Sequence, residues 1–273
     1  MLAASRSRRR APAVAAVAAL CAVGLAACDG VNQPLPTANR YLAVNITGRH
    51  GGAGQVSAGA TVIVFEAYTA AVPSSAQQQG DLCALSVLDT SVVDVRGQRQ
   101  AGAAATLAVA GQTLTLPYST LLNRYATAPN APFVYRAGDQ VLATLPGDPA
   151  VFPATSIGVR LAEPLVPGPL AAPVDGQPIA VTWNASNDPT AAVQLSLRFA
   201  SPITATGANT QLLCAVRDDG AFEIPAAALA TFQVSPAATR SLKITRWRTN
   251  EAQPDARTLV HVSSSVDTIV RFP

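Results

Sequence analysis

Histidine is scarce in this 273-residue chain, and its scarcity limits the chemistry that the chain can perform. Only His50 and His261 are available as general bases for a serine nucleophile. His50 lies in a glycine-rich stretch and His261 in an apolar run, and no serine stands in a nucleophile-elbow sequence. No lysine follows the glycines of residues 48–59 closely, so a loop before a strand is predicted there rather than a phosphate-binding loop. The sequence therefore indicates no catalytic centre built on histidine.

Carboxylates are the other groups suited to acid–base chemistry. Glu66 and Glu223 are unusual because each sits inside an apolar run. If the fold placed them on either side of a glycosidic bond, the chain would be a carboxylate-based hydrolase of envelope or extracellular polysaccharide. An outward position on a strand explains both glutamates without catalysis. We therefore expect a protein that is not an enzyme, and we keep this hydrolase as the alternative.

Candidate metal ligands are not grouped along the chain. The histidines and cysteines are scattered, without the short spacings of zinc sites. Asp218-Asp219-Gly220, Asp175-Gly176 and Asn187-Asp188-Pro189 offer oxygen atoms to calcium, but each sequence is also typical of a turn. The turn interpretation is preferred, and neither a metal nor a cofactor is predicted.

A tryptophan stands between two arginines at Arg246-Trp247-Arg248, at the end of an apolar run that predicts a strand. Tryptophan and arginine are enriched among the residues that dominate binding energy at interfaces. The triplet is therefore the candidate contact for a protein or glycan ligand. A charged strand edge that resists pairing is the alternative interpretation. Trp183, which ends another apolar run, is expected in the core instead.

The N-terminus has the layout of an export signal. Four arginines within residues 6–10 precede an apolar run over residues 11–27, which ends at Leu25-Ala26-Ala27-Cys28. These last residues resemble the lipobox of bacterial lipoproteins, a family in which the cysteine thiol is acylated before cleavage. The resemblance implies that residues 1–27 are removed and that lipid on Cys28 anchors the protein to the bacterial cell envelope, at the inner or the outer membrane.

Two other interpretations of this N-terminal segment stay open. An uncleaved membrane anchor would have an apolar stretch of 17 residues, which is at the short limit for crossing a bilayer. Twin-arginine export is suggested by Ser7-Arg8-Arg9, although Ala11 and Pro12 follow where bulky apolar residues are usual.

Two further cysteines, Cys83 and Cys214, stand 131 residues apart. An oxidising compartment would permit a disulfide between them. Each is equally explained as a small buried hydrophobic residue on a strand. A Cys83–Cys214 disulfide is therefore one of two predictions that the sequence leaves open.

The net charge of the mature chain argues against nucleic acid as a partner. Removal of residues 1–27 takes away four of the 19 basic residues and none of the 16 acidic residues, which leaves 15 basic and 16 acidic ones. Binding to nucleic acid or to a polyanionic surface depends on concentrated positive charge. The basic character of the precursor therefore comes from its signal segment.

The remaining chain predicts an all-β fold with two β-sandwich domains. Short strand patterns alternate with turn signals, and the clearest alternation places Val193, Leu195, Leu197 and Phe199 on one face. We expect a tether over residues 28–40, a sandwich over 41–163, a proline-rich linker over 164–178 and a second sandwich over 179–273. The second sandwich resembles immunoglobulin and fibronectin type III domains in its strand number and its early tryptophan.

Three local predictions concern turns and helices. A tight hairpin is expected with Gly111-Gln112 as its turn, a short helix is expected to begin at Ser119, and one helical turn is expected from Pro225. Together with the export signal, these β-rich patterns predict a membrane-anchored, exported lipoprotein that acts as a non-enzymatic binding or structural component of the envelope.

Overall fold

The structure, a computed structural model, describes residues 39–50, 54–66, 81–88, 98–128, 131–202 and 206–273. Cys28 and the predicted signal segment lie outside the described residues. Residues 38–273 form one compact unit. The sequence prediction of an all-β fold is confirmed, because strands account for most of the described chain and one short α-helix accompanies them.

The elements are numbered here in chain order. The strands and the helix have the following bounds: β1 Arg40–His50, β2 Gln55–Glu66, β3 Leu82–Val87, β4 Gln98–Arg99, β5 Ala104–Val109, β6 Gln112–Ser119, β7 Arg124–Ala126, β8 Phe133–Arg136, β9 Gln140–Leu145, β10 Thr155–Arg160, β11 Ile179–Thr182, β12 Ala192–Phe199, β13 Thr210–Arg217, β14 Ala221–Ile224, α1 Ala226–Gln233, β15 Ser241–Asp255 and β16 Thr258–Val270.

Fourteen of these strands join in one hydrogen-bonded sheet, and β11 and β14 form a separate two-stranded sheet. The order along the large sheet is β10-β9-β5-β6-β7-β2-β1-β16-β15-β12-β13-β3, with β4 and β8 also paired to β2. The sheet folds back on itself, because side chains of β1 and β2 meet those of β5 and β9 around a small cavity lined by Leu42, Val44, Val62, Ala105, Ala143 and Leu145. This part of the unit therefore packs as a sandwich.

The predicted loop over residues 48–59 is mostly strand. Strand β1 pairs with β2 from Arg40–Glu66 to His50–Val56, so the hairpin extends further than the glycines suggested. Alternate residues of β2 are buried, as expected for a strand with one face on the core. Gly48 permits this close packing, because a Cβ atom there would approach Val56 Cγ1 to 2.3 Å.

The two predicted domains share one sheet, which corrects the expected division. Strand β1 pairs in parallel with β16 from Arg40–Thr258 to Arg49–Asp267. Strand β3 pairs antiparallel with β13, and this pairing also crosses the expected boundary. Each pairing satisfies backbone groups that would be exposed at an edge if residues 41–163 and 179–273 folded separately.

The proline-rich segment 164–178 is a packed strap rather than a linker between domains. Leu165 is buried in the core. The Val166 N–H donates to Asn184 Oδ1 at 2.6 Å, and the Gly168 N–H donates to the Thr182 carbonyl oxygen at 2.8 Å. The prolines prevent this segment from forming a helix, but its free amides still bind the chain around β11.

The three local predictions have different outcomes. The β5–β6 hairpin exists, but its turn residues are Ala110 and Gly111, with φ of 48° and 76°, so both occupy the left-handed region that a type I′ turn requires. No helix begins at Ser119; its Oγ accepts from the Leu122 N–H at 3.3 Å within a turn between β6 and β7. Pro225 precedes a full helix, α1, rather than one turn.

Candidate functional site

Arg246 is buried at the centre of a polar network beneath the large sheet. Its side chain is 0% exposed to solvent. Nε donates to Asp218 Oδ2 at 2.6 Å and Nη2 donates to Asp218 Oδ1 at 3.0 Å, which makes a bidentate ion pair. Nη1 donates to the carbonyl oxygens of Pro164 at 2.9 Å and Glu163 at 3.4 Å, and Nη2 also donates to the Asn184 carbonyl oxygen. All five guanidinium N–H donors therefore have an acceptor.

The partners of Arg246 come from elements that are distant in sequence. Asp218 lies in the turn between β13 and β14, and the carbonyls of Glu163 and Pro164 lie after β10, where the strap begins. Trp183 Nε1 donates to Asp218 Oδ1 at 2.8 Å, which fixes the carboxylate between an indole and a guanidinium. One buried cation thus connects the strap, the β11 end and the β13–β14 turn to β15.

Arg248, two residues further along β15, forms a second buried polar site. Its side chain is 2% exposed. Its Nη2 lies 3.1 Å from Glu163 Oε1 and donates to Ser186 Oγ at 2.9 Å. Its Nη1 forms an ion pair with Asp188. Ser186 Oγ donates to Glu163 Oε2 at 2.5 Å, so the serine joins both charged groups. We call Arg246, Arg248, Glu163, Asp188 and Asp218 the arginine network.

Asp188 is held in its charged form by these contacts. Burial alone would raise the pKa of its carboxyl, but hydrogen bonds from the Thr190 N–H and hydroxyl, together with the Arg248 and Arg160 guanidiniums, outweigh burial. The pKa of Asp188 is therefore lower than its usual value. Arg160 Nη1 lies 3.2 Å from Asp188 Oδ2 and forms the more exposed part of the arrangement.

The predicted role of Arg246 and Arg248 as contact residues is corrected by this geometry. Leu242 and Ile244 point into the core, and the two-residue period of a strand then places residues 246 and 248 on the same inward face. The same alternation is visible in the sequence and could have predicted their burial. The partner carboxylates could not have been identified in that way, because they come from separate segments.

Two of the three candidate calcium sequences hold carboxylates that pair with the arginines, and the third, Asp175-Gly176, is an exposed turn. Asp218 pairs with Arg246 and Asp188 pairs with Arg248. Within the part of the chain that the structure describes, no three His, Cys, Asp or Glu side chains are grouped so that they could hold a metal ion.

Trp247 is the member of the predicted triplet that reaches the surface. It is partly exposed on the face of β15 opposite the core, whereas Trp183 is buried as the sequence predicts. Its neighbours across the sheet are Ala192 on β12 and Ser265 on β16, and Thr47 lies beside Ser265 on β1. We call the surface made of Trp247, Thr47, Thr249 and Asn45 the outer face; Ser265 is buried between them.

The remaining sequence candidates do not converge on one site. Glu66 ends β2 and pairs with exposed Arg99 at 3.1 Å, whereas Glu223 is exposed on β14 in the two-stranded sheet. The two carboxylates of the hydrolase alternative thus lie on different sheets. His261 Nδ1 lies 3.2 Å from Glu251 Oε1 on the neighbouring strand, and His50 ends β1.

Cys83 and Cys214 are joined by a disulfide. They are direct partners in the antiparallel β3–β13 pair, and their Cα atoms are 4.0 Å apart. The structure thus selects the disulfide from the two alternatives that the sequence left open.

Comparisons with known proteins assign the chain to no family. No family model and no curated protein matches it. A solved structure of the chicken CNTN1 FN1–FN3 domains aligns with 86% of this chain and 69% of that chain, at 12% identity and a TM-score of 0.19. This score carries no argument about the fold, so the fibronectin-like assignment of residues 179–273 stays a prediction. No helix among the described residues is long and apolar enough to cross a bilayer.

The lowered pKa of Asp188 predicts a pH-dependent contribution to stability. Because the folded pKa is below the unfolded value of about 3.9, the charged carboxylate stabilises the fold above that pH, and this contribution is lost as pH falls through the folded pKa. Asp188→Asn should lower the free energy of unfolding by about 1–3 kcal/mol at neutral pH. The difference from wild type should shrink in strong acid. Urea unfolding across the acid range measures it.

Asp175→Asn is the matched control, because Asp175 is exposed and outside the arginine network. It should leave stability nearly unchanged at both ends of the pH range. A deficit for Asp188→Asn that stays constant or grows as the solution is acidified would contradict the assigned role of this carboxylate.

Proposed function

We propose that the chain is an exported lipoprotein of a bacterial cell envelope, anchored by acyl chains on Cys28, and that it acts as a non-enzymatic binding or structural component. The observation that carries the proposal is the sequence Leu25-Ala26-Ala27-Cys28, at the end of an apolar run that follows four arginines. Each buried acyl CH₂ contributes about 0.8 kcal/mol, so two or three chains hold a protein at a membrane without a spanning helix.

The position of the first strand is compatible with this anchor. Eleven residues, 29–39, separate Cys28 from β1, which begins at Arg40. At about 3.3 Å per residue, an extended tether of this length reaches about 36 Å, which is enough to lift the unit clear of lipid headgroups. The asparagine, glutamine and proline residues of the tether suit exposure to water.

The disulfide gives the proposed export independent physical support. Disulfides persist in oxidising compartments and are rare in a reducing cytosol. The Cys83–Cys214 bond connects two strands of one sheet, so it is part of the folded unit. A chain that leaves the cytoplasm before it completes its fold would form such a bond readily.

The outer face is the surface that we propose for ligand binding. Trp247 supplies an aromatic ring, and Thr47, Thr249 and Asn45 supply neutral hydrogen-bonding groups around it. Asn45 Oδ1 accepts from Ser263 Oγ at 3.0 Å, which fixes one side of this surface. An indole bordered by hydroxyl and amide groups suits either a sugar ring or a protein side chain. The ligand we propose is therefore a glycan or a protein of the envelope.

Cys28→Ala tests the anchor. The variant should incorporate no labelled fatty acid and should keep residues 1–27, because acylation requires the thiol and precedes cleavage. Cys21→Ala is the matched control: it removes a cysteine from the same segment away from the cleavage junction, and it should be labelled and cleaved like wild type. Protease treatment of intact cells then distinguishes surface display from the periplasm. Fatty-acid labelling and cleavage of Cys28→Ala equal to those of wild type would exclude the lipoprotein proposal.

Trp247→Ala tests the binding surface. Two probes are immobilised separately: envelope polysaccharide and detergent-solubilised envelope protein. The readout is the amount of purified protein that each probe retains over a range of protein concentrations. If the outer face binds either material, the variant should lose about tenfold or more in affinity, because a central aromatic dominates such contacts. Val134→Ala, an exposed apolar residue on β8, should bind like wild type. Equal binding by Trp247→Ala and wild type would remove the outer face from the proposal.

A further inference from the structure

Strand β3 is attached to the rest of the unit in an unusual way. It is the last strand on the path of the large sheet, and among the described residues it pairs with β13 alone. The pairing runs from Leu82–Ala215 to Val87–Thr210, and Cys83 is bonded covalently to Cys214 within it. Backbone pairing and one covalent bond therefore act on the same short strand.

Apolar burial contributes little to the attachment of β3. Leu82, Leu85 and Val87 are 70%, 54% and 78% exposed, respectively. The neighbouring strand β13 is well buried by comparison, because its Leu212 and Cys214 are almost completely shielded from solvent. Since burial of apolar surface is the main source of folding free energy, a strand with its large side chains in water has little to hold it in place.

The other contacts of β3 are also weak ones. Asp81, directly before the strand, accepts from Arg217 Nε at 3.2 Å and from Nη2 at 3.0 Å. The Arg217 side chain is mostly exposed, so water and salt screen this pair. The Leu88 N–H donates to the Asn209 carbonyl oxygen at 2.9 Å at the other end. Exposed hydrogen bonds of this kind open easily at the end of a sheet.

We propose that the Cys83–Cys214 disulfide is a redox clasp, which keeps β3 docked and whose reduction releases β3 while the rest of the unit stays folded. A small dithiol or a dithiol protein is the reductant. Its thiolate attacks one sulfur, the Cys83–Cys214 bond breaks, and the reductant closes to its own disulfide. Two electrons and two protons are transferred in total, and both cysteines become thiols. Release of β3 leaves the backbone edge of β13 unpaired.

The clasp also sets an order of events, and this part rests on the proposed export. In a reducing cytosol the two thiols stay separate, and among the described residues β3 is held by its edge hydrogen bonds, the Asp81–Arg217 pair and its contact with α1. Oxidation outside the cytosol closes the clasp. The final docking of β3 is then coupled to arrival in the oxidising compartment, whereas the arginine network and the β1–β16 pairing form without any redox step.

Hydrogen exchange with mass spectrometry tests the clasp on the purified, full-length protein before and after treatment with a dithiol. Alkylation of Cys83 and Cys214 confirms that reduction is complete. Exchange in residues 82–87 should accelerate by about tenfold or more. Exchange in β15 and β16, which lie further along the same sheet, should be unchanged. A Cys83→Ala variant should show the same pattern without reductant, and Asp81→Asn in the oxidised protein should not.

Two results would overturn the proposal. The first is unchanged exchange in residues 82–87 after complete reduction, which would mean that pairing alone holds the strand. The second is a loss of protection throughout the sheet, which would mean that the disulfide supports the whole fold rather than one strand. Both readouts concern the purified protein, so they are independent of the Cys28→Ala labelling that tests the anchor.

Discussion

The bidentate pair between Arg246 and Asp218 is the interaction on which the arrangement of this fold depends most. A guanidinium with no exposure to water is costly unless every donor has an acceptor. That requirement is met only when the proline strap, the end of β11 and the β13–β14 turn all converge on β15. The charge therefore acts as a positional constraint: a strap or turn displaced by a few ångströms would leave a buried donor without a partner.

The arginine network and the shared sheet explain why residues 38–273 form one compact unit. The parallel β1–β16 pairing joins the first described strand to the last, and the network joins the segments between them beneath the sheet. Arg248 extends the polar layer toward Glu163 and Asp188, where Arg160 reaches the surface. The outer face lies on the side of β15 opposite the arginine network, and Lys243, which forms an ion pair with Asp267, points to the same side as Trp247. Strand β3 stands apart from this arrangement, since a covalent bond replaces the burial that other strands have.

Sequence patterns predicted the parts of this structure that depend on local chemistry. The β12 alternation, the buried Trp183 and the turn at Asp218 follow from residue period and turn preference, and each is present. Pairing between distant strands follows no local rule, so the proline strap was mistaken for a domain boundary. The sequence assigns Arg246 to a contact surface because arginine beside tryptophan is typical of binding interfaces. Its burial depends on partners from three other segments, and residue type alone does not reveal them.

A double-mutant cycle on Arg246 and Asp218 tests the central claim most directly. Arg246→Met, Asp218→Asn and the double variant are compared with wild type by urea unfolding at neutral pH. Each single change leaves one buried charge without its partner and should cost about 3–5 kcal/mol. The double change removes both charges, so its cost should fall short of the sum by more than about 2 kcal/mol. Costs that add to within about 0.5 kcal/mol would contradict the claim that this pair organises the fold.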